Sequence, residues 1–418
     1  MTSLYDSYIK AFRWATDRIA KDERGGVIAF ISNGAWLDGN SQDGFRASLE
    51  KEFDKIYVYN LRGNARTQGE LRKREGDGIF DLGSRTPIAI TILVRYPAAR
   101  RLPKGEIYYH DIGDYMSREQ KLAAIQKAKS YANLAWTPIT PNAKNDWINQ
   151  RGDLFDTLTP LAPQKKFDKQ TASVFVANSL GISTNKDAFL YNFSSRELHA
   201  TAERMVAFYN QERERLAADK GYTLKVDPTQ IVWTRAFLKS VNKNEVFAVD
   251  EERFSHSLYR PFCKQQLLFQ KNLIHETYQQ RTFFPTPQHE NLLICTSGVG
   301  AGKAFSTLIL DKVPCHDLLD KTQCFPLYYY TENKGEGAST LFAQAQGAGW
   351  ERHDGVSDAF LAAVRTRLGN GALTLTKEDV FYYVYGLLHS PSYRERFANE
   401  LRKELARIPL VASVEEFQ

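Results

Sequence analysis

Six cations fall within one short stretch, RGNARTQGELRKREGDGIFDLGSR: Arg62, Arg66, Arg72, Lys73, Arg74 and Arg85. Guanidinium and ammonium groups spaced among glycines and polar residues suit phosphate oxygens. Such contacts position a protein on a duplex without reading its sequence. From Leu61 to Lys104 there are ten Lys or Arg against four Asp or Glu, a surplus of six, which equals the net charge of +6 of the whole chain. A surplus held in one segment points to a nucleic-acid surface, and a solvated basic loop is the plain alternative. Reading bases requires donors at base edges, usually Arg, Lys, Asn or Gln. Candidates further along the chain are Lys186, Arg260, Lys264, Gln265 and Lys303, each with a surface or structural role as the competing reading.

A second stretch, CTSGVGAGKAFS (295–306), has the look of a phosphate-binding loop. A Walker loop needs a first glycine for its turn and a hydroxyl after the lysine for Mg²⁺. With Gly302 and Lys303 as the G-K pair, those positions hold Ser297 and Ala304. FSTLILD then reads as a strand, so no helix N-terminus follows to receive phosphate. The expectation is a glycine turn between two strands, with Lys303 suited to a single anion such as a DNA phosphate.

Other chemistry is sparse. The nuclease tripeptide [DE]-x-K occurs as Glu119-Gln120-Lys121 and Glu332-Asn333-Lys334. It could hold Mg²⁺ and a water only with a further acidic residue, and chance produces it readily. Cys263, Cys295, Cys315 and Cys324 form no C-x-x-C pair, so reduced core thiols and no metal are expected. Of the tyrosine-rich runs, FPLYYYT suits base stacking or a strand, whereas DVFYYVYG has helical spacing that favours core packing.

These residues need elements to hold them. Residues 5–20 have helical periodicity. GVIAFIS (26–32) is a short apolar run, expected to be a strand buried on both faces. SQDGFRASLEKEF follows as an amphipathic helix, and KIYVYNL (55–61), PIAITILVRY (87–96) and EIYYHDI (106–112) as strands. Strand, helix, strand with tight connections predicts a crossover in an α/β sheet. The basic stretch is expected to be a mobile loop, and SREQKLAAIQKAKSYANL a polar helix. Beyond a boundary near 135–165, ASVFVA (172–177) is expected to be a strand. A helix capped by Ser194 runs to about Lys220, one capped by Thr376 ends near Ser390, and one from Ser392 continues to about Ile408.

Composition adds bounds. Apolar residues make up 43% and charged residues 25%, ordinary for a globular chain of two or three domains. No apolar run reaches 18 residues and no signal peptide opens the chain, so no membrane partner is expected and a cytoplasmic location is the default.

Several long segments resemble Type ISP restriction-modification enzymes, large single chains containing an N6-adenine DNA methyltransferase. SLYDSYIKAFRWATDRI, GGVIAFISNGAWLDGN, IYVYNLRGNARTQGELRKREG and GSRTPIAITILV resemble the later part of the methyltransferase domain. GISTNKDAFLYNFS, SLYRPFCKQQLLF, ICTSGVGAGKAFS, CFPLYYY and YYVYGLLHSPSYRERFANELRKELARIPL are similar to the family's C-terminal specificity domain. The resemblance implies an α/β fold: a partial Rossmann-like methyltransferase sheet (1–135), a linker (136–165), and a mixed α+β target recognition domain (166–418) ending in helices. It also implies a double-stranded DNA partner.

The same resemblance implies an absence. Amino-methyltransferases carry [DNS]-P-P-[YFW], and this sequence has no Pro-Pro dipeptide. No glycine-rich strand-turn-helix precedes GVIAFIS. In the family both elements lie upstream, so S-adenosyl-methionine is expected to serve the complete enzyme and no cofactor this chain alone. An engineered fragment, a truncated gene and a split subunit stay open. Phe80 matches the aromatic that packs on a flipped adenine, with a core phenylalanine as the alternative. Asn33 and Trp36 are placed at the carboxyl edge of the sheet, where such folds bind ligands, with loop packing as the alternative. The competing functions are a nuclease, and a module that docks a missing methyltransferase half or a translocase or nuclease domain.

Overall fold

The structure, a computed structural model, describes residues 5–80, 83–168, 170–332 and 349–417. The chain divides into two compact units: one up to Phe155 with Gly302–Ala304, the other Asp156–Ala301 with the residues from Phe305 on.

The first unit is a five-stranded sheet with helices on both faces. Its elements are α1 (Ser7–Ile19), β1 (Gly26–Asn33), α2 (Asp43–Glu52), β2 (Lys55–Arg62), α3 (Gly69–Glu75), β3 (Ile88–Arg95), β4 (Glu106–Asp111), α4 (Arg118–Ala128) and β5 (Thr137–Ile139). Strand order is β1-β3-β2-β4-β5. Strands β1 and β2 run the same way and β4 lies parallel to β2, while β3 sits antiparallel between β1 and β2. The β1-α2-β2 crossover therefore skips one position, which β3 fills later. Side-chain alternation on β2 separates the faces. Ile56 and Val58 join Phe12, Trp36, Leu49 and Trp147 in one core, and Tyr59 and Leu61 join Ile79 and Ile112 in another.

The second unit is mixed α+β. One four-stranded sheet has the order β13-β9-β10-β8 and another β12-β11-β14-β7. After β6 (Thr159–Pro160), which lies in neither, their strands are β7 (Ser179–Leu180), β8 (Tyr191–Asn192), β9 (Phe254–Arg260), β10 (Cys263–Leu268), β11 (Leu293–Thr296), β12 (Thr307–Leu310), β13 (Val313–Pro314) and β14 (Gln323–Pro326). The 24-residue helix Ser195–Ala218 buries Leu198, Ala202, Met205, Val206 and Tyr209 as one apolar stripe, and the Ser194 hydroxyl caps it by accepting from the Glu197 N–H. Helices Lys377–His389, Pro391–Arg396 and Ala398–Lys403 lie near the C-terminus.

CTSGVGAGKAFS joins β11 to β12, which pair antiparallel from Leu293↔Leu310 to Thr296↔Thr307. Its glycines serve close approach. A Cβ on Gly298 would lie 2.0 Å from the Lys321 carbonyl oxygen. Cys263, Cys295, Cys315 and Cys324 are free thiols, the last three buried.

Four local expectations are corrected. GVIAFIS is not buried on both faces: Val27 and Ile31 are 64% and 56% exposed, because β1 is an edge strand with one face turned inward. The basic stretch is not all loop, since GELRKRE forms α3. ASVFVA is not a regular strand. The N–H groups of Val174, Phe175 and Val176 donate to Pro160, Leu161 and Gly355, so its partners come from separate segments. The helix expected from Ser392 breaks at Phe397, and Arg407–Ile408 instead pairs with Thr159–Pro160.

Candidate nucleic-acid interface

In the first unit the basic segment is built on a buried lysine. The Ser117–Gln120 capping box starts α4 and sets Lys121 on its inward face, fully buried. Its Nζ donates to the carbonyls of Leu61, Glu75 and Asp77 at 2.9, 2.9 and 2.8 Å. Burial pushes the ammonium down to about 8, so it stays largely charged at neutral pH. Three N–H donors then meet three carbonyls at the two ends of the segment that carries α3.

The cations on this segment divide by role. Arg62 bonds Asp111 at 2.7 Å and pairs with Asp114, and Arg74 also reaches Asp114 at 3.3 Å. Arg72 donates to the Gly76 carbonyl, and Arg85 to that of Ala65 at 3.2 Å. Lys73 lies 3.7 Å from Glu70, both exposed. Arg66 is exposed, and among the described residues no carboxylate pairs with Arg66 or Arg85. The surface charge is thus carried by Arg66, Lys73, Arg74 and Arg85, while Arg62 is a structural tie. Phe80 is 52% exposed, beside Ile79, whose carbonyl accepts from Arg118 at 2.9 Å.

The sheet-edge candidates are otherwise engaged. Asn33 accepts from the Ala35 N–H at 2.9 Å and caps a short turn. Trp36 is 3% exposed, edge-on to Phe12, Phe45 and Trp147. It packs as core rather than lining a ligand edge, because the turn capped by Asn33 carries its ring inward.

In the second unit, Arg260, Lys264 and Gln265 gather at one end of the β9–β10 hairpin. Arg260 lies over the Tyr259 ring at 4.0 Å, and its guanidinium donates to the Tyr259 carbonyl at 2.7 Å and Cys315 Sγ at 3.4 Å. Tyr259 in turn donates to Asp187 at 2.9 Å. Lys264 is exposed, 3.8 Å from Asp311, and Gln265 is half-buried. Lys186 departs from its expected place. It is 3% exposed, with its ammonium 4.0 Å from the Phe237 ring centroid and no hydrogen-bond partner among the described residues. The Lys186–Leu190 turn aims it into the core, so it cannot reach a base edge. Lys303 is exposed and belongs to the part of the glycine loop that groups with the first unit.

Residues 173–418 match the family described as the Type ISP C-terminal specificity domain. This chain belongs to the Type ISP family. Three solved structures resemble it over nearly its full length. That of a nuclease-deletion mutant of the Type ISP enzyme LlaGI, in complex with a DNA substrate mimic, is 35% identical over 97% of this chain with a TM-score of 0.78. A DrdV–DNA complex is 32% identical over 98%, TM-score 0.82. The ATP-dependent Type ISP enzyme LlaBIII bound to DNA is 33% identical over 99%, TM-score 0.83. This Type ISP chain spans 30%, 38% and 25% of the lengths of those three chains. No curated protein matches it.

Within this Type ISP chain, the first nuclease-like tripeptide is structural. Lys121 is spent on backbone carbonyls, and Glu119 is an exposed first-turn residue bonded to Ser117 at 2.9 Å. The second copy lies partly outside the described residues, which exclude Asn333 and Lys334. Sequence reading missed the role of Lys121 and passed over Phe262. A lysine four residues after a capping serine has no special signature, but the Pro261-Phe262 turn between two strand-like runs was legible.

Proposed function

We propose that this chain binds duplex DNA and helps choose the target of a Type ISP restriction-modification enzyme acting in the cytoplasm. The observation that carries the reading is the set of exposed cations Arg66, Lys73 and Arg74 on a segment whose ends the buried Lys121 holds together, with exposed Arg85 hydrogen-bonded to Ala65 of that segment. A fixed cationic surface neutralises phosphates and releases their counterions, which makes binding steeply salt-dependent. The DNA-bound states of LlaGI, DrdV and LlaBIII support this assignment. Fluorescence anisotropy with a labelled random-sequence duplex at several salt concentrations tests it. Log K should fall linearly with log salt, and binding that ignores salt refutes the reading.

In the complete enzyme we assign Phe80 to stacking on a flipped adenine, and S-adenosyl-methionine and the N6-amino chemistry to residues outside this chain. Of the sheet-edge candidates, Asn33 is engaged as a cap and Trp36 is core, which supports this reading. We therefore expect no methyl transfer by this chain alone, tested by tritium incorporation into plasmid DNA from labelled S-adenosyl-methionine.

A docking role accompanies the first reading. Tyr5, Tyr8 and Trp14 on and before α1, and Val27 and Ile31 on β1, are all exposed apolar residues of the first unit. An upstream methyltransferase half would cover them. Ile31→Lys should abolish association with that half when the two are co-expressed, and retained association removes this role. No helix among the described residues is long and apolar enough to cross a membrane.

A further inference from the structure

Phe262 is the most exposed large apolar side chain among the described residues, at 90%. It sits at the tip of the β9–β10 hairpin. Arg260 pairs with Cys263, so Pro261 and Phe262 alone make the connection. Proline sets the first turn position, and Phe262 takes the second with φ 60°, a conformation that glycine adopts freely and a bulky residue adopts under strain. Turn formation does not call for a phenylalanine here, and water gains nothing from its ring. The local geometry spends stability to hold an apolar plate in solvent.

The surroundings of the ring say what it meets. Arg260 and Lys264 flank the turn, and Gln265 follows. Strand β8 pairs with β10 through Asn192↔Gln266, so Phe193, 73% exposed, follows β8 toward the same end of the sheet. Two exposed aromatic rings therefore lie toward the same end of the sheet as the cations Arg260 and Lys264, the latter 3.8 Å from Asp311, and rings beside cations match bases lying between phosphates.

We infer that Phe262 is an aromatic wedge that stacks on or between the bases of bound duplex DNA, with Arg260 and Lys264 beside it. Wedges of this kind unstack a base step and are indifferent to much of the sequence. The inference rests on the DNA-binding reading above.

The test is binding of the full chain to a pool of random-sequence duplexes carrying 2-aminopurine, for wild type, Phe262→Ala, Phe262→Gly and Phe262→Trp. Phe262→Ala and Phe262→Gly should weaken binding by about ten-fold or more with an unchanged salt slope, because no phosphate contact is lost. Phe262→Trp should bind as wild type. The 2-aminopurine signal should rise on binding of wild type and stay flat with Phe262→Ala. Phe262→Gly should melt no lower than wild type, which separates lost binding from lost folding. Wild-type affinity and signal in Phe262→Ala, or a weakened Phe262→Trp, overturns the wedge alone. So does a Phe262→Ala defect confined to association with a protein partner. Absence of salt-dependent binding by wild type overturns the DNA reading, and the wedge with it.

Discussion

The Nζ of Lys121 lies 2.9 Å from the carbonyl oxygen of Leu61, sixty residues earlier in the chain. The same ammonium holds Glu75 and Asp77. One buried cation thereby closes the base of the segment that presents the surface charge. Removing it takes a charged donor from all three carbonyls and leaves Glu75 with the Gly63 N–H. Lys121→Met should destabilise the first unit by about 2–4 kcal/mol, given that hydrogen bonds to charged groups each contribute about 1.5–3 kcal/mol. Trypsin should then cut between Arg66 and Arg74 faster than in the wild type. Equal cleavage rates would show that the segment is held by other means.

Arg62 and Arg66 should behave oppositely. Arg62 ties Asp111 and Asp114 together, so Arg62→Ala should lower the melting temperature with little change in salt slope. Arg66→Ala should leave melting unchanged and reduce the salt slope of DNA binding by about one. Paired thermal melts and anisotropy titrations distinguish the two. A slope lost in Arg62→Ala would reverse the assignment.

Lys186 is a charge held at a cost. Burial lowers its ammonium to about 8, below the ordinary value near 10.4. The unfolded chain therefore binds more protons between about pH 8 and 10.4, and stability rises with pH across that window. Below pH 8 the penalty is fully present. Lys186→Met should stabilise the second unit by about 1–3 kcal/mol at pH 7, the range left after the ring contact with Phe237 offsets part of the shift. The gain should vanish as pH approaches 10.4, in urea unfolding at pH 7 and pH 10. DNA affinity should not change.

The glycine loop separates shape from charge. Gly298→Ala forces a Cβ against the Lys321 carbonyl and should destabilise the second unit by about 1–3 kcal/mol, the range for forced backbone shifts. Lys303→Ala should fold normally and lower the salt slope by about one. Normal melting of Gly298→Ala would mean that the 320–321 turn yields at little cost.

Much of this was legible in the residues alone. The cap at Ser194 and the Thr376–Asp379 capping box act through neighbours close in sequence, and the strand-forming run PIAITILVRY and the turn in CTSGVGAGKAFS likewise formed near their expected places. The concentration of charge at 61–104 and the failed Walker positions are likewise properties of composition and spacing. What stayed hidden depends on partners distant in the chain. That β3 lies antiparallel between β1 and β2, that ASVFVA spreads its hydrogen bonds over several segments, and that β1 is an edge strand are all outcomes of packing. So are the fates of single lysines. Lys121, Lys186 and Lys303 are the same residue type, yet one staples backbone, one is enclosed against Phe237 and one faces solvent. Local periodicity determines which way a short segment curls and which residues it groups. Burial and pairing of a long charged side chain are decided only when remote segments close around it, because desolvation depends on every atom that displaces water.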